Sequence, residues 1–221
     1  GTGALGSQIV SDVLGNQDRI AVLSGPTHAE EVVKGIPSAA VIASVSSDVA
    51  RYVQEAFSSP TFRTYSSGDV IGVELCGAYK NVIAIATGMS YGMGYGDNTS
   101  AMIVTRGLAE MSRLVTALGG DRITCMGLAG LGDLVVTCGS EHSRNRTLGF
   151  EIAHGKTLED FHRETHMIAE GALACKTVKT LSDRAHVETP IADEVRAVVW
   201  EHADPREAQD VLLSRSLKSE F

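Results

Sequence analysis

Two adjacent polar side chains in an otherwise apolar stretch set the first chemical possibility. Lys80 and Asn81 end the segment Gly77-Ala-Tyr-Lys80-Asn81, whose neighbours are glycine, alanine and aliphatic residues, and neither serves packing there. An ammonium held out of water beside a bound carbonyl can donate a proton to oxygen as hydride reaches carbon, which is general acid catalysis of ketone reduction. The plainer alternative is a lysine stem laid along a helix with its charge in water. A second cluster, Gly130-Leu-Gly132-Asp133-Leu-Val-Val-Thr137, places a carboxylate after two close glycines and Thr137 one helical turn later on the same face. Asp133 is equally suited to be a helix N-cap. A third cluster, Ser143-Arg144-Asn145-Arg146, joins a capping hydroxyl, forked guanidinium groups and an amide where another helix is expected to begin. Helix N-termini and bidentate arginine both favour tetrahedral anions, so a phosphate suits this cluster; a solvated basic turn is the other reading.

Two tempting patterns carry less. Gly1-Thr-Gly3-Ala-Leu-Gly6 matches the dinucleotide fingerprint G-x-G-x-x-G, but that motif works when a strand delivers the backbone to the pyrophosphate, and no strand is read ahead of Gly1. A loop entering a helix is the expected structure. His162-Arg-Glu-Thr-His166 sets two imidazoles one helical turn apart without a third ligand in view, so a polar face is expected and no metal.

The elements that must position these groups change character along the chain. Ala4 to Leu14 reads as an amphipathic helix, Arg19 to Ser24 as a buried strand, and Gly25-Pro26-Thr27 as a turn with Thr27 offered as an N-cap. Ser38 to Ala43 continues as strand, Ser47 to Phe57 as helix and Phe62 to Tyr65 as strand, an alternation that fits part of a doubly wound sheet. Beyond Asp69 only helical spacing appears, at Val70 to Met89, Ser100 to Leu118, Ile168 to Leu181 and Ile191 to Val199. Two glycine-rich loops are expected between them, Gly88 to Asp97 and Gly127 to Asp133.

Composition narrows the class. The chain has 221 residues, 43% of them hydrophobic, enough for a sizeable core, and no uninterrupted apolar run reaches the roughly twenty residues of a membrane span. A net charge of −8 argues against nucleic acid or an acidic membrane as partner, and Gly1 to Gly6 lacks the features of a secretory signal. Cys76, Cys125, Cys138 and Cys175 form no C-x-x-C pair, so reduced thiols in a cytoplasmic protein are expected.

Taken in order, Leu23-Ser-Gly-Pro-Thr-His-Ala29, Gly72-Val-Glu-Leu-Cys-Gly-Ala-Tyr-Lys-Asn81, Gly96-Asp-Asn98, Thr105-Arg-Gly-Leu-Ala-Glu110, Gly127 to Asp133 and Ser143-Arg-Asn145 resemble the motifs of bacterial NAD(P)-dependent glycerol-3-phosphate dehydrogenases. The resemblance runs from near Leu23 to the C-terminus. It implies an α/β remnant of a Rossmann domain over residues 1–76, followed over residues 77–221 by an all-α C-terminal domain of the 6-phosphogluconate-dehydrogenase-like kind. It implies NAD or NADP as cofactor, dihydroxyacetone phosphate as a small phosphorylated substrate, a role in glycerophospholipid metabolism, and a homodimer as one arrangement. By the same resemblance Lys80 is the proton donor and acceptor, with Asp133 beside it as a catalytic group. Gly25, Thr27, Asn81, Thr137, Ser143, Arg144 and Asn145 hold substrate, and Ala29, Arg144, Ile168 and Glu170 border the cofactor. Thr27 stands where serine is usual, His28 where an aromatic is common, and Cys76-Gly-Ala-Tyr79 where Gly-Gly-Ala-Leu is frequent. The family pattern also places roughly a hundred residues, a Rossmann half with its glycine fingerprint and a further substrate lysine, ahead of Gly1. On that reading the chain alone is expected to bind nucleotide poorly. The alternatives left standing are a related Rossmann-type hydroxy-acid dehydrogenase and a catalytically silent helical binding or dimerisation module.

Overall fold

The computed structural model describes residues 3–217, 219 and 220. Of the Gly1-to-Gly6 motif, Gly1 and Thr2 lie outside the described residues, and the remainder is a loop that enters helix α1 (Gly6–Leu14). Three strands follow, β1 (Val22–Ser24), β2 (Ser38–Ala43) and β3 (Phe62–Ser67), forming one sheet in the order β1-β2-β3. β2 and β3 are parallel, joined by helix α3 (Ser47–Phe57), whose N-cap Ser46 accepts from Val49 N. The α3 helix is pinned to β3 by paired bonds, Gln54 Nε2 to Thr64 O at 2.8 Å and Thr64 Oγ1 to Gln54 O at 3.0 Å.

The sheet departs from a doubly wound pattern at its first strand, because β1 runs antiparallel to β2, with Ser24 opposite Val41. A parallel crossover is usually carried by a full helix laid across the sheet. The connection here holds one helical turn, α2 (Ala29–Val32), and folds straight back. Thr27 does not cap that turn: its Oγ1 donates to Gly25 O at 3.2 Å, and His28 is the residue ahead of the helix. The expected strand from Arg19 is also shorter, since Asn16 Oδ1 accepts from Asp18 N and closes a 3-10 turn over Gln17–Arg19.

The rest is helical: α4 (Val70–Gly92), α5 (Asp97–Ala117), α6 (Asp133–Gly139), α7 (Arg144–Ala153), α8 (Leu158–Thr165), α9 (Glu170–Ala185), α10 (Pro190–Glu201) and α11 (Pro205–Leu213). The division expected between residues 76 and 77 falls inside α4, which continues unbroken through it. By length and composition α4 would pass for a membrane span; here it is the core helix, with Val82, Ile83, Ala84 and Ile85 fully buried among its neighbours. Asp69 starts it, with Oδ1 accepting from Gly72 N at 2.8 Å and Oδ2 from Asp121 N and Thr124 Oγ1 at 2.9 and 2.6 Å. One carboxylate therefore caps the helix and ties down a 3-10 segment (Arg122–Met126).

The glycine-rich stretch Gly88 to Asp97 is mostly not a loop. Gly88 and Gly92 lie within α4, and a Cβ at Gly88 would fall on the carbonyl of Arg146 in α7. A Cβ at Gly149 of α7 would likewise fall on Ile85 O. These glycines let two helices meet backbone to backbone, which outweighs their poor helix propensity. The second stretch becomes a π-helical turn (Leu128–Gly132) leading into α6.

A buried carboxylate locks the far side of α4. Glu110 of α5 is 1% exposed; its Oε1 accepts from Tyr79 OH at 2.5 Å and from Ala192 N at 3.1 Å, and its Oε2 from Ile191 N at 3.1 Å. It thus satisfies the free N–H groups at the start of α10 from another helix. Burial raises the Glu110 pKa above the ordinary 4.5, against the lowering effect of these hydrogen bonds, and burial beside Glu110 raises that of Tyr79.

Two outcomes follow from this packing. Gly149→Ala is expected to lower stability by about 1–3 kcal/mol or more, because the new methyl meets backbone that cannot swing away; denaturant melts measure it. A carboxyl with a raised folded-state pKa contributes stability that is full below its unfolded value of 4.5 and is lost as pH rises through the folded value. The melting temperature of the parent protein relative to Glu110→Gln should therefore fall as pH rises from about 4 to about 7. A pH-independent difference would contradict that assignment.

Candidate active site

The three clusters singled out by chemistry converge on one cleft of about 790 Å³. Lys80 reaches it from the middle of α4, and its Nζ is ion-paired to Asp133 Oδ2 at the start of α6. Both are withdrawn from water, with 19% of the lysine side chain and 4% of the aspartate side chain exposed. Asp133 is not an N-cap; it is helical itself, and its carboxylate collects donors from three elements. Oδ2 takes Lys80 and, at 3.5 Å, the hydroxyl of Ser24 from the end of β1; Oδ1 takes Thr137 Oγ1 at 3.1 Å, one helical turn along α6.

Ser143 caps α7, its Oγ accepting from Arg146 N at 3.3 Å, and so aims the first turn of that helix into the cleft. Asn145 is 4% exposed and serves as a strut: its Nδ2 donates to Asn81 Oδ1 at 2.9 Å, and its Oδ1 accepts from Gly171 N at 2.8 Å. Asn81 in turn donates from Nδ2 to Gly77 O at 3.2 Å. Helices α4, α7 and α9 are thereby joined within one residue of Lys80. Arg144, half exposed, spans to Glu170 at the first turn of α9 at 3.0 Å. On the sheet side Gly25, Thr27 and Ala29 form the opposite wall. Gly25 has φ +153°, and a Cβ there would press on Ala39 O and Ala40 Cα, so glycine is needed where β1 turns into the cleft.

Of the residues expected to form the site, all but one line this cleft. Ile168 does not; it is 62% exposed in the segment before α9, and Met167 takes its place in the wall. His166, with φ +56°, ends α8 in the left-handed conformation and turns the chain, and α9 starts only at Glu170.

Sequence reasoning passed over Ser24, Glu30 and His142, and saw His28 only as a departure from an aromatic. His28 and His142 face each other edge to face, ring centroids 6.4 Å apart, and the Nε2 of His28 is buried without a hydrogen-bond partner among the described residues. The Glu30 carboxyl lies below its usual range, chiefly through a backbone N–H bond, with nearby His142, His28 and Arg144 adding to the lowering. A second cleft of about 570 Å³ shares Gly25, Thr27, Lys80 and Asp133, so the ion pair stands in the partition between two openings.

Residues 69–210 match the family model for the NAD-dependent glycerol-3-phosphate dehydrogenase C-terminus, and residues 1–50 match the model for the N-terminus of the same enzymes. The chain belongs to the NAD-dependent glycerol-3-phosphate dehydrogenase family. The match begins at residue 1, ahead of the first motif at Leu23. A glycerol-3-phosphate dehydrogenase [NAD(P)+] of Chlorobium phaeobacteroides is 50% identical over 216 residues, covering 97% of this chain and 65% of the relative. One from Fusobacterium nucleatum is 47% identical over 203 residues, covering 92% and 61%. The crystal structure of glycerol-3-phosphate dehydrogenase from Coxiella burnetii superposes with a TM-score of 0.91 at 39% identity, covering 96% of this chain and 65% of that one. The chain thus spans just under two thirds of the length of these glycerol-3-phosphate dehydrogenases.

The strut makes a prediction separable from chemistry. Asn145→Ala strands the buried Gly171 N–H and frees Asn81, with an expected stability loss of about 1–3 kcal/mol. Hydrogen exchange should report faster opening at the start of α9; unchanged exchange there would show that Asn145 does not hold α7 to α9.

Proposed function

We propose that this chain carries the proton-handling and phosphate-binding part of a glycerol-3-phosphate dehydrogenase, catalysing reversible NAD(P)H-dependent reduction of dihydroxyacetone phosphate to sn-glycerol 3-phosphate. The observation that carries the reading is the buried Lys80–Asp133 pair on the floor of a cleft that also receives the α7 N-terminus. The ammonium of Lys80 faces the position of a substrate carbonyl, and Asp133, anchored by Thr137, fixes where that ammonium points. In the reducing direction Lys80 Nζ gives a proton to the carbonyl oxygen; in the oxidising direction the neutral amine takes it back. Ser143, the amides at the start of α7 and Arg144 take the phosphate, where the helix dipole and the guanidinium both favour a dianion. Gly25, Thr27 and Asn81 close around the three-carbon chain, and Asn145 acts mainly by holding Asn81.

The nucleotide's chemistry fits residues on both walls of the cleft. Arg144 offers a half-exposed cation for its phosphates, Glu170 an acceptor, Ala29 a small side chain that permits close approach, and His28 a ring nitrogen at the cleft's edge without a hydrogen-bond partner among the described residues. When bound, the nicotinamide supplies or accepts the hydride at the carbonyl carbon. Residues 1–76 then contribute the Rossmann wall of the cleft and residues 77–221 its helical wall, with substrate and nucleotide contacts on both. The net negative charge and the burial of α4 support a cytoplasmic enzyme with neither a membrane nor nucleic acid as partner, supplying a precursor to glycerophospholipids.

Lys80→Ala is expected to lower the rate of dihydroxyacetone-phosphate-dependent NADH oxidation by about 10²- to 10⁴-fold with NADH affinity unchanged. Full activity in that variant would remove Lys80 from the mechanism. Saturable NADH binding to the chain by itself would exclude the silent-module reading.

A further inference from the structure

Two of the four cysteines, far apart in sequence, meet in the core. Cys76 lies on α4, one turn before Lys80, and Cys125 lies in the 3-10 segment Arg122–Met126 that precedes the π-helical turn and Asp133. Their sulfurs are 3.7 Å apart and both residues are 0% exposed. We propose that Cys76 and Cys125 form an oxidative modification site, a thiol pair that a small peroxide converts to a disulfide joining the helix of Lys80 to the segment that presents Asp133.

The pair is chemically unequal. The Cys76 thiol donates to Cys125 Sγ; that bond raises the pKa of Cys76 and lowers that of Cys125. Cys125 is therefore the better thiolate and the sulfur that meets the oxidant first. Its sulfur attacks one peroxide oxygen, the S–O bond forms as the O–O bond breaks, and the first water leaves. The sulfur of Cys76 then attacks the sulfenic sulfur, the S–S bond forms as the S–O bond breaks, and a second water leaves. Each thiol has lost one hydrogen, and the peroxide has been reduced to two waters.

Access comes through the 3-10 segment. Cys125 is its only buried residue; Ile123 and Met126 on either side are 68% and 51% exposed. The segment is anchored to the start of α4 through Asp69, by its bonds to Asp121 N and Thr124 Oγ1. A short 3-10 turn opens locally at lower cost than the long helix beside it, and opening uncovers Cys125 without unfolding α4. Joining the sulfurs requires them to approach from 3.7 Å to about 2.05 Å. That draws the π-helical turn toward α4, since Gly130 already packs on Cys125 so closely that a Cβ would meet its backbone. Asp133, three residues on, moves with it relative to Lys80.

Cys138 and Cys175 are internal controls. Burial pushes their pKa values up to about 12 and about 11, and neither has a sulfur partner among the described residues. The test is graded hydrogen peroxide, acid quench, alkylation of remaining thiols and peptide mapping without reductant. The expected product is a Cys76–Cys125 linked peptide lacking two hydrogens, with Cys138 and Cys175 alkylated, and dithiothreitol should restore four free thiols. Cys76→Ala should abolish the linkage and leave Cys125 to gain oxygen; Cys125→Ala should leave Cys76 unreacted at the same dose. Should either variant fold poorly, the parent protein's map decides alone. Oxidation confined to Cys138 or Cys175, a linkage between other pairs, or full alkylation of all four thiols after treatment would each overturn the proposal.

Discussion

The constraint on which the site rests is the approach of α7 to α4 with no side chain between them. Gly88 on one helix and Gly149 on the other each face a carbonyl of the partner that a methyl would strike, and Gly171 of α9 faces Asn81 O in the same way. Helices normally pack with axes about 8–10 Å apart, a spacing set by the side chains at the contact. Removing those side chains is what lets Asn145 reach Asn81 at 2.9 Å and Gly171 N at 2.8 Å. A methyl's width of separation would break both bonds. The amide ladder, and with it the relation of Lys80 to the α7 N-terminus, is a consequence of three missing side chains.

Within that frame the charged groups divide by exposure. Lys80 and Asp133 are both largely withdrawn from water, and desolvating two charges costs free energy that their attraction offsets only when the remaining lone pairs are satisfied. Thr137 and Ser24 provide that satisfaction on the aspartate. Such a pair is poor evidence of stability, and its retention makes sense as placement of a reactive amine. The Arg144–Glu170 pair is the opposite case, with both side chains about half exposed, and exchanges of this kind are worth at most about 1 kcal/mol. An incoming phosphate can therefore take Arg144 from Glu170 at little cost, whereas nothing readily takes Asp133 from Lys80.

Much of the site was legible because its signals are local. A polar pair in an apolar helix, Ser143 ahead of a basic turn, and Thr137 four residues from Asp133 all depend on neighbours in sequence, and all of them line one cleft. What was not legible depends on distant partners. Gly88 and Gly92 read as loop because glycine disfavours helices, and only the carbonyls of α7 reverse that preference. Asp133 had the composition of a cap, yet its partner comes from fifty-three residues away. Thr27 offered a hydroxyl to a helix that starts two residues later, and β1 runs antiparallel where its connection holds a single helical turn in place of a crossover helix. The helix expected from Ile168 begins two residues later, at Glu170, after the left-handed turn at His166. Ser24 and Glu110 act across packed elements, and no spacing rule announces either.

Helix α4 shows why composition alone misleads about such a chain. By length and mean hydropathy it could cross a bilayer. In this fold five polar groups along its cap and first half are committed to different neighbours. Asp69 at its start holds the 3-10 segment, Glu74 receives Ser7 of α1, and Tyr79 reaches Glu110 of α5 and through it α10. Lys80 then takes Asp133 of α6, and Asn81 takes Asn145 of α7. Hydrophobic burial is non-directional and would let the surrounding helices slide or rotate about an oily rod. These side bonds, spaced over thirteen residues, fix each neighbour in register, so that the ends of three helices and one strand arrive at a single lysine.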